Sequence, residues 1–241
     1  MKIINLLLNL YYLKKNYDII ISKLCKRGEK MRNFDLFNLI ISVPAVLIAF
    51  TVQGYAKAFV ADKLGDKTPR FQGRLTLNPI AHIDLVGFIM ILLFHFGWTK
   101  PIETNPRAYK RGYKDAIKVS IAAPIGNLIA AFIGMFIYVF LIRYMGTMLT
   151  GAGGTVLLSM VYAVVSVNVS LCVFNLLPLP GLAGFEILRD LAPKHFYKIA
   201  DKIYQYQFLI LMVVVFVGSS FLYYPVSFII NLFYRIVRII L

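Results

Sequence analysis

Apolar runs of bilayer length constrain this chain more than any other feature. Leu36–Ala61 is about 26 residues of almost uninterrupted apolar character. At 1.5 Å per residue such a segment crosses a ~30 Å hydrocarbon core with tilt. Ile117–Ile142 and Thr155–Leu177 are two more clear spans. Gln207–Leu222 is a shorter fourth, and Pro225–Leu241 is a fifth span or an interfacial helix, with Arg235 and Arg238 near its end. Composition agrees: 59% of residues are hydrophobic and 15% charged, with a mean hydropathy of +0.73. A soluble domain carries nearer a quarter charged residues, so a soluble globular enzyme, a disordered chain and a coiled coil are all disfavoured. The expected class is an all-α polytopic membrane protein with about four to six transmembrane helices.

The net charge of +15 then reads as loop sidedness and lipid headgroups before nucleic acid. Asp84–Trp98 has about 15 residues, short of a span, and both its flanks are basic: Lys63, Lys67, Arg70 and Arg74 before it, Lys100, Arg107, Lys110, Arg111 and Lys114 after it. A re-entrant segment keeps both flanks on the cytoplasmic side. Residues 143–154 hold one basic residue, Arg143, and face outside. Residues 178–206 hold Arg189, Lys194, Lys198 and Lys202 and face the cytoplasm. The chain ahead of the first span then lies outside, yet residues 1–35 carry eight Lys/Arg. Residues 1–30 are therefore read as a basic extension outside the domain, with translation starting at Met31. The run Lys26-Arg27-Gly28-Glu29-Lys30 before Met31 can be written in purine-rich codons like a ribosome-binding site. A basic amphipathic arm on the membrane surface is the alternative. Residues 31–241 form a single membrane domain.

Thr68-Pro69-Arg70-Phe71-Gln72-Gly73-Arg74-Leu75-Thr76-Leu77-Asn78-Pro79 alternates and ends in a turn signal, so it predicts a short interfacial β element. Ala122, Gly126, Ala130 and Gly134 recur every four residues and make a small-residue stripe for close helix packing. Cys25 and Cys172 imply neither a disulfide framework nor a redox pair.

The order of these pieces resembles the site-2 protease family of intramembrane zinc metalloproteases in its compact bacterial form. Val52-Gln53-Gly54-Tyr55-Ala56-Lys57-Ala58 stands where that family carries its HExxH helix, and Asp62-Lys63-Leu64-Gly65-Asp66 follows. Gly73–Pro79, His82-Ile83-Asp84, Phe96–Pro101 and Asn105-Pro106-Arg107 resemble further family segments. Ala122-Ala123-Pro124-Ile125-Gly126-Asn127 resembles the Gly-Pro-x-x-Asn motif, and Asn175–Gly184 the N-x-x-P-x-P-x-L-D-G motif. The resemblance covers most of residues 35–222.

The resemblance implies zinc held by two His at i and i+4 and a distant Asp, with a Glu as general base for metal-bound water. Here the first His position is Gln53, the Glu position Gly54, the second His position Lys57 and the Asp position Ala183. Gln53 keeps a poor amide ligand, Gly54 has no base, Lys57 brings a cation and Ala183 offers nothing. His82, His95 and His195 lack helical ligand spacing to one another. Neither catalytic nor metal-ligating residues are expected, and no cofactor, although zinc serves the family. Lys57 either snorkels to the interface or places its ammonium in the zinc position, bonded to Gln53, Asn127 or Asn175. Asp62 and Asp66 are close enough in sequence to approach it.

Asn127, Asn175 and Pro180 are the residues expected along a substrate groove, and the element at Arg70–Leu77 is suited to pair with an unwound segment. The expectation is thus a pseudoprotease of the cell membrane, multi-pass, its vestigial site near the cytoplasmic face, binding a transmembrane segment or membrane protein and no nucleic acid. The alternatives are an active metalloprotease with other ligands and a small transporter or channel lined by Gln53, Lys57, Asn127 and Asn175.

Overall fold

Three apolar helices dominate a computed structural model that describes residues 36–94 and 98–241. They are α1 (Leu36–Lys63), α4 (Tyr113–Met145) and α5 (Ala152–Asn175). Among the described residues these three are long and apolar enough to cross a membrane. Between the first two lie α2 (Thr68–Phe71) and α3 (Leu85–Phe94). After α5 come two short amphipathic helices, α6 (Ala183–Leu191) and α7 (Pro193–Gln205), and a 34-residue helix, α8 (Gln207–Ile240). The proposed extension, residues 1–30, lies outside the described residues.

Small residues bring the long helices together. A Cβ on Gly126 would stand 2.7 Å from the Ala56 Cβ of α1, so glycine is what permits this approach of α4 to α1. Gly134, two turns on, meets Val165 of α5 in the same way. Above this contact Ala131, Met135 and Val139 pack with Val165, Val169, Ile230 and Val237, joining α4, α5 and α8. Val46, Ala49 and Phe50 of α1 pack with Leu171 of α5. A third cluster of Ala61, Tyr109, Ala116 and Val119 holds the end of α1 against the start of α4.

Two expectations need correction. No strand forms among the described residues; the Thr68–Pro79 element is a helical turn followed by bends. Three local forces override the alternation. Pro69 fixes φ at the first helical turn. The Asp66 carboxylate accepts the Thr68 N–H at 2.9 Å. Gly73 is left-handed at φ +69° and interrupts any extended run. Arg74 then turns inward, buried, and donates to the carbonyls of Ala81 and Pro101. The Asn78-Pro79 turn does form, with the Asn78 side chain accepting from the Ile80 N–H at 3.1 Å.

The second correction concerns the C-terminal segments, read as two from sequence. They form one continuous helix with Pro225 inside it. Proline is tolerated in apolar helices where neighbouring groups take up the freed carbonyl.

The Asp84–Trp98 stretch holds a ten-residue helix, α3, about 15 Å long and half of what a span requires. Its two ends meet: Ile83 and Thr99 form an isolated antiparallel bridge, and the Lys100 N–H donates to the His82 carbonyl at 3.0 Å. This pairing carries Trp98–Ile102 to the side of α1.

Candidate functional site

Gln53 and Lys57 lie four residues apart on α1, hence one above the other on one helix face. That face borders a cavity of about 420 Å³ lined by Gln53, Gly54, Lys57, Asn175, Pro180, Ala183 and Glu186, with Phe50, Trp98, Ile102, Leu171 and Phe174 among its apolar walls. The structure thus gathers six of the seven residues singled out from sequence around one space, all but Asn127. Asn127 is fully buried behind Gln53 and does not line it.

The two polar side chains of α1 here, Gln53 and Lys57, have defined partners. The Gln53 Oε1 accepts two N–H groups, from Asn127 Nδ2 at 3.1 Å and Asn175 Nδ2 at 2.9 Å. Its Nε2 faces the Thr99 hydroxyl at 3.5 Å. Gln53 therefore ties α1 to α4, α5 and the Trp98–Ile102 segment. One turn further along, the Lys57 ammonium donates to both carboxylate oxygens of Glu186, at 2.9 and 2.8 Å. The Ser120 hydroxyl donates to the same carboxylate at 2.9 Å. The side chains of Lys57 and Glu186 are 16% and 27% exposed, so the pair is largely shielded from water. Glu186 also sits in the first turn of α6, where the helix dipole favours an anion.

Lys57 thus bonds neither Gln53, Asn127 nor Asn175, as the sharper sequence reading had it. A full opposite charge is a better partner for an ammonium than an amide. Asp62 and Asp66 stay away. Asp62 is held by Arg70 and Lys67. Asp66 accepts backbone N–H groups of Thr68 and Asn105. Glu186, Ser120 and Thr99 were missed from sequence. A signal for Glu186 existed: it follows Ala183 by three residues, one helical turn, so it shares that residue's face.

Gly54 has its own explanation. A Cβ built there would lie 2.2 Å from Nδ1 of His82 and within 3.0 Å of two further ring atoms. The imidazole stands in the space that any side chain at position 54 would enter. It is anchored by its Nε2, 2.8 Å from the Thr76 carbonyl, and is 1% exposed. Burial, reinforced by the nearby Arg74 charge, lowers the His82 pKa below its ordinary 6.5. A histidine with a depressed folded pKa takes up a proton more readily once unfolded. Its contribution to stability is whole above about pH 6.5 and is lost as pH falls below it. Unfolding in detergent at pH 5 and pH 7.5 is expected to show a midpoint lower at pH 5, and His82→Gln is expected to shrink that difference.

Zinc takes thiolate, imidazole and carboxylate ligands. Gln53 offers one amide oxygen, already accepting two N–H bonds. Lys57 is an ammonium in an ion pair, and Ala183 ends in a methyl group. Among the described residues no three His, Cys, Asp or Glu side chains come together as a metal-binding group. The residues at this position do not fit the metal. His95 and the His195 side chain lie outside the described residues.

The fold and site define a helical scaffold of membrane type, with a polar, ion-paired floor in an apolar cleft between its helices. The chain is 40% identical over 151 residues, 63% of its length and 68% of the relative's, to the "Putative zinc metalloprotease YwhC" of Bacillus subtilis (strain 168). It belongs to the site-2-protease-like family of that relative. No family model and no solved structure matches the chain.

Proposed function

We propose that this chain is a pseudoprotease of the site-2-protease-like family. It keeps the scaffold, has given up zinc and peptide hydrolysis, and receives a transmembrane or unwound segment of a partner membrane protein in the cleft. The observation that carries the reading is the Lys57–Glu186 ion pair. By the family resemblance, Lys57 and Ala183 stand at two of the three zinc-ligand positions. In this chain a salt bridge joins α1 and α6 at that place. Hydrolysis also needs a base for water, and Gly54, at the family position for it, has no side chain, with the His82 ring standing beside it.

The cleft supports a binding role. Its volume falls within the range of ligand pockets, its walls are apolar, and Asn175, Pro180 and Thr99 line it. The chain is taken to be a multi-pass protein of the cell membrane with α8 as a further span and the cleft toward the cytoplasmic face. Asp84–Trp98 is taken to be re-entrant. The exposed apolar side chains of Phe71, Leu77, Ile80, Leu85 and Val86 support this, because outside a span such a patch asks for lipid or protein cover.

Incubating the purified chain in detergent with helical membrane substrates tests the reading. No cleavage is expected, with or without added zinc, while a photo-crosslinker at position 180 captures a membrane segment. Cleavage abolished by a zinc chelator would establish the second reading, an active metalloprotease with other ligands, which the relative's name favours.

A further inference from the structure

α7 carries a row of charge that the cleft does not use. Lys194, Lys198 and Lys202 recur at every fourth residue and are all exposed. At about 100° per residue they form one stripe along the helix. The opposite stripe, Phe196, Ala200 and Ile203, packs on Phe185 of α6. The packing of α7 on α6 therefore fixes the lysines outward. On the flank between the two stripes stand Tyr197 and Tyr204, 59% and 49% exposed. The sequence of α7 holds three Lys against one Asp, Asp201, and one His, His195.

The position of α7 completes the pattern. It ends at Gln205, and the apolar helix α8 begins at Gln207, so a single residue, Tyr206, joins them. Lys202 is thus five residues from the start of α8, roughly 7 Å along a helix. Where α8 enters a membrane, that distance is within a Debye length of the surface. Exposed tyrosines beside a lysine stripe suit the headgroup layer, where aromatic rings and cations both concentrate.

We propose that the Lys194–Lys198–Lys202 row binds the headgroups of anionic phospholipids, docking α7 against the membrane surface. Charge complementarity selects this occupant: the stripe presents ammonium groups, and the anionic leaflet presents phosphates at the depth where α8 begins. The inference rests on α8 entering the membrane and is independent of what the cleft holds or whether the chain cleaves anything.

The test uses the full chain purified in detergent with an equal mixture of phosphatidylglycerol and phosphatidylcholine. Lipid retention is read by native mass spectrometry. The unmodified chain is expected to retain phosphatidylglycerol in preference. With roughly fivefold per lysine near a charged surface, the triple variant Lys194→Gln, Lys198→Gln, Lys202→Gln is expected to lose at least tenfold of that preference. The triple Lys→Arg variant is expected to keep it, which separates loss of charge from loss of fold. Inorganic phosphate at matched ionic strength is expected to leave the lipid bound. Equal retention of both lipids by the unmodified chain, an undiminished preference in the Gln variant, or displacement by phosphate would each overturn the proposal.

Discussion

Lys57→Met is expected to destabilise the chain by about 3 kcal/mol, the low end for breaking a buried ion pair, because both side chains keep some access to water. The loss comes from the partner left behind. Glu186 retains only the Ser120 hydroxyl among its described partners, and a carboxylate shielded from water with one hydrogen bond is poorly compensated. Glu186→Met leaves the ammonium in the same position and is expected to cost a similar amount. The double variant Lys57→Met, Glu186→Met removes both charges and is expected to recover most of the loss, since apolar side chains of similar volume often replace a buried pair at little cost. A double-mutant cycle by chemical unfolding in detergent measures the coupling. If the two single losses simply add in the double variant, the pair is not a tie between α1 and α6.

Gly54→Ala gives the second large effect, and its sign depends on another residue. In a helix interior Ala is favoured over Gly by roughly 1 kcal/mol. Here the new Cβ would meet His82 Nδ1 at 2.2 Å, a contact that requires the ring to move. The ring is held by the Thr76 carbonyl, so overpacking is expected to cost about 1–3 kcal/mol and Gly54→Ala to destabilise on balance. In a His82→Ala background the obstacle is gone, and the same change is expected to stabilise by up to about 1 kcal/mol. No change of sign between the two backgrounds would mean that His82 does not close position 54. The consequence reaches function: a Glu placed at 54 would meet the His82 ring, so restoring that motif residue requires the ring to shift.

The long helices were legible because their apolar runs exceed 20 residues, and nothing else in a sequence produces such runs. Leu36–Ala61, Ile117–Ile142 and Thr155–Leu177 match α1, α4 and α5 to within a few residues. The small-residue stripe was legible for the same reason, since Gly126 and Gly134 keep a helical period and meet α1 and α5. The β element was misread because its alternation is local, while Pro69, the Asp66 cap and left-handed Gly73 act at single positions. The split at Pro225 gave one proline too much weight in an apolar helix.

Around the cleft, the resemblance located Gln53, Gly54, Lys57, Asn175, Pro180 and Ala183, because a motif carries its order with it. What filled the space was not legible. Glu186 is 129 residues from Lys57, and His82 is 28 positions from Gly54. Each is a long-range partner that only folding brings into place. From sequence, Gly54 reads as a position without a side chain and Lys57 as a snorkelling cation or an ammonium at the zinc position. In the structure the Lys57 ammonium pairs with Glu186, and the His82 imidazole fills the space beside Gly54.

The most direct measurement is the metal content of the chain, purified in detergent from zinc-replete cells, by inductively coupled plasma mass spectrometry, with its unfolding midpoint followed before and after chelation. The expected result is far less than one zinc per chain and a midpoint indifferent to the chelator, as befits helices joined by Lys57 and Glu186. One zinc per chain, removed by the chelator with a fall in the midpoint, would contradict the account.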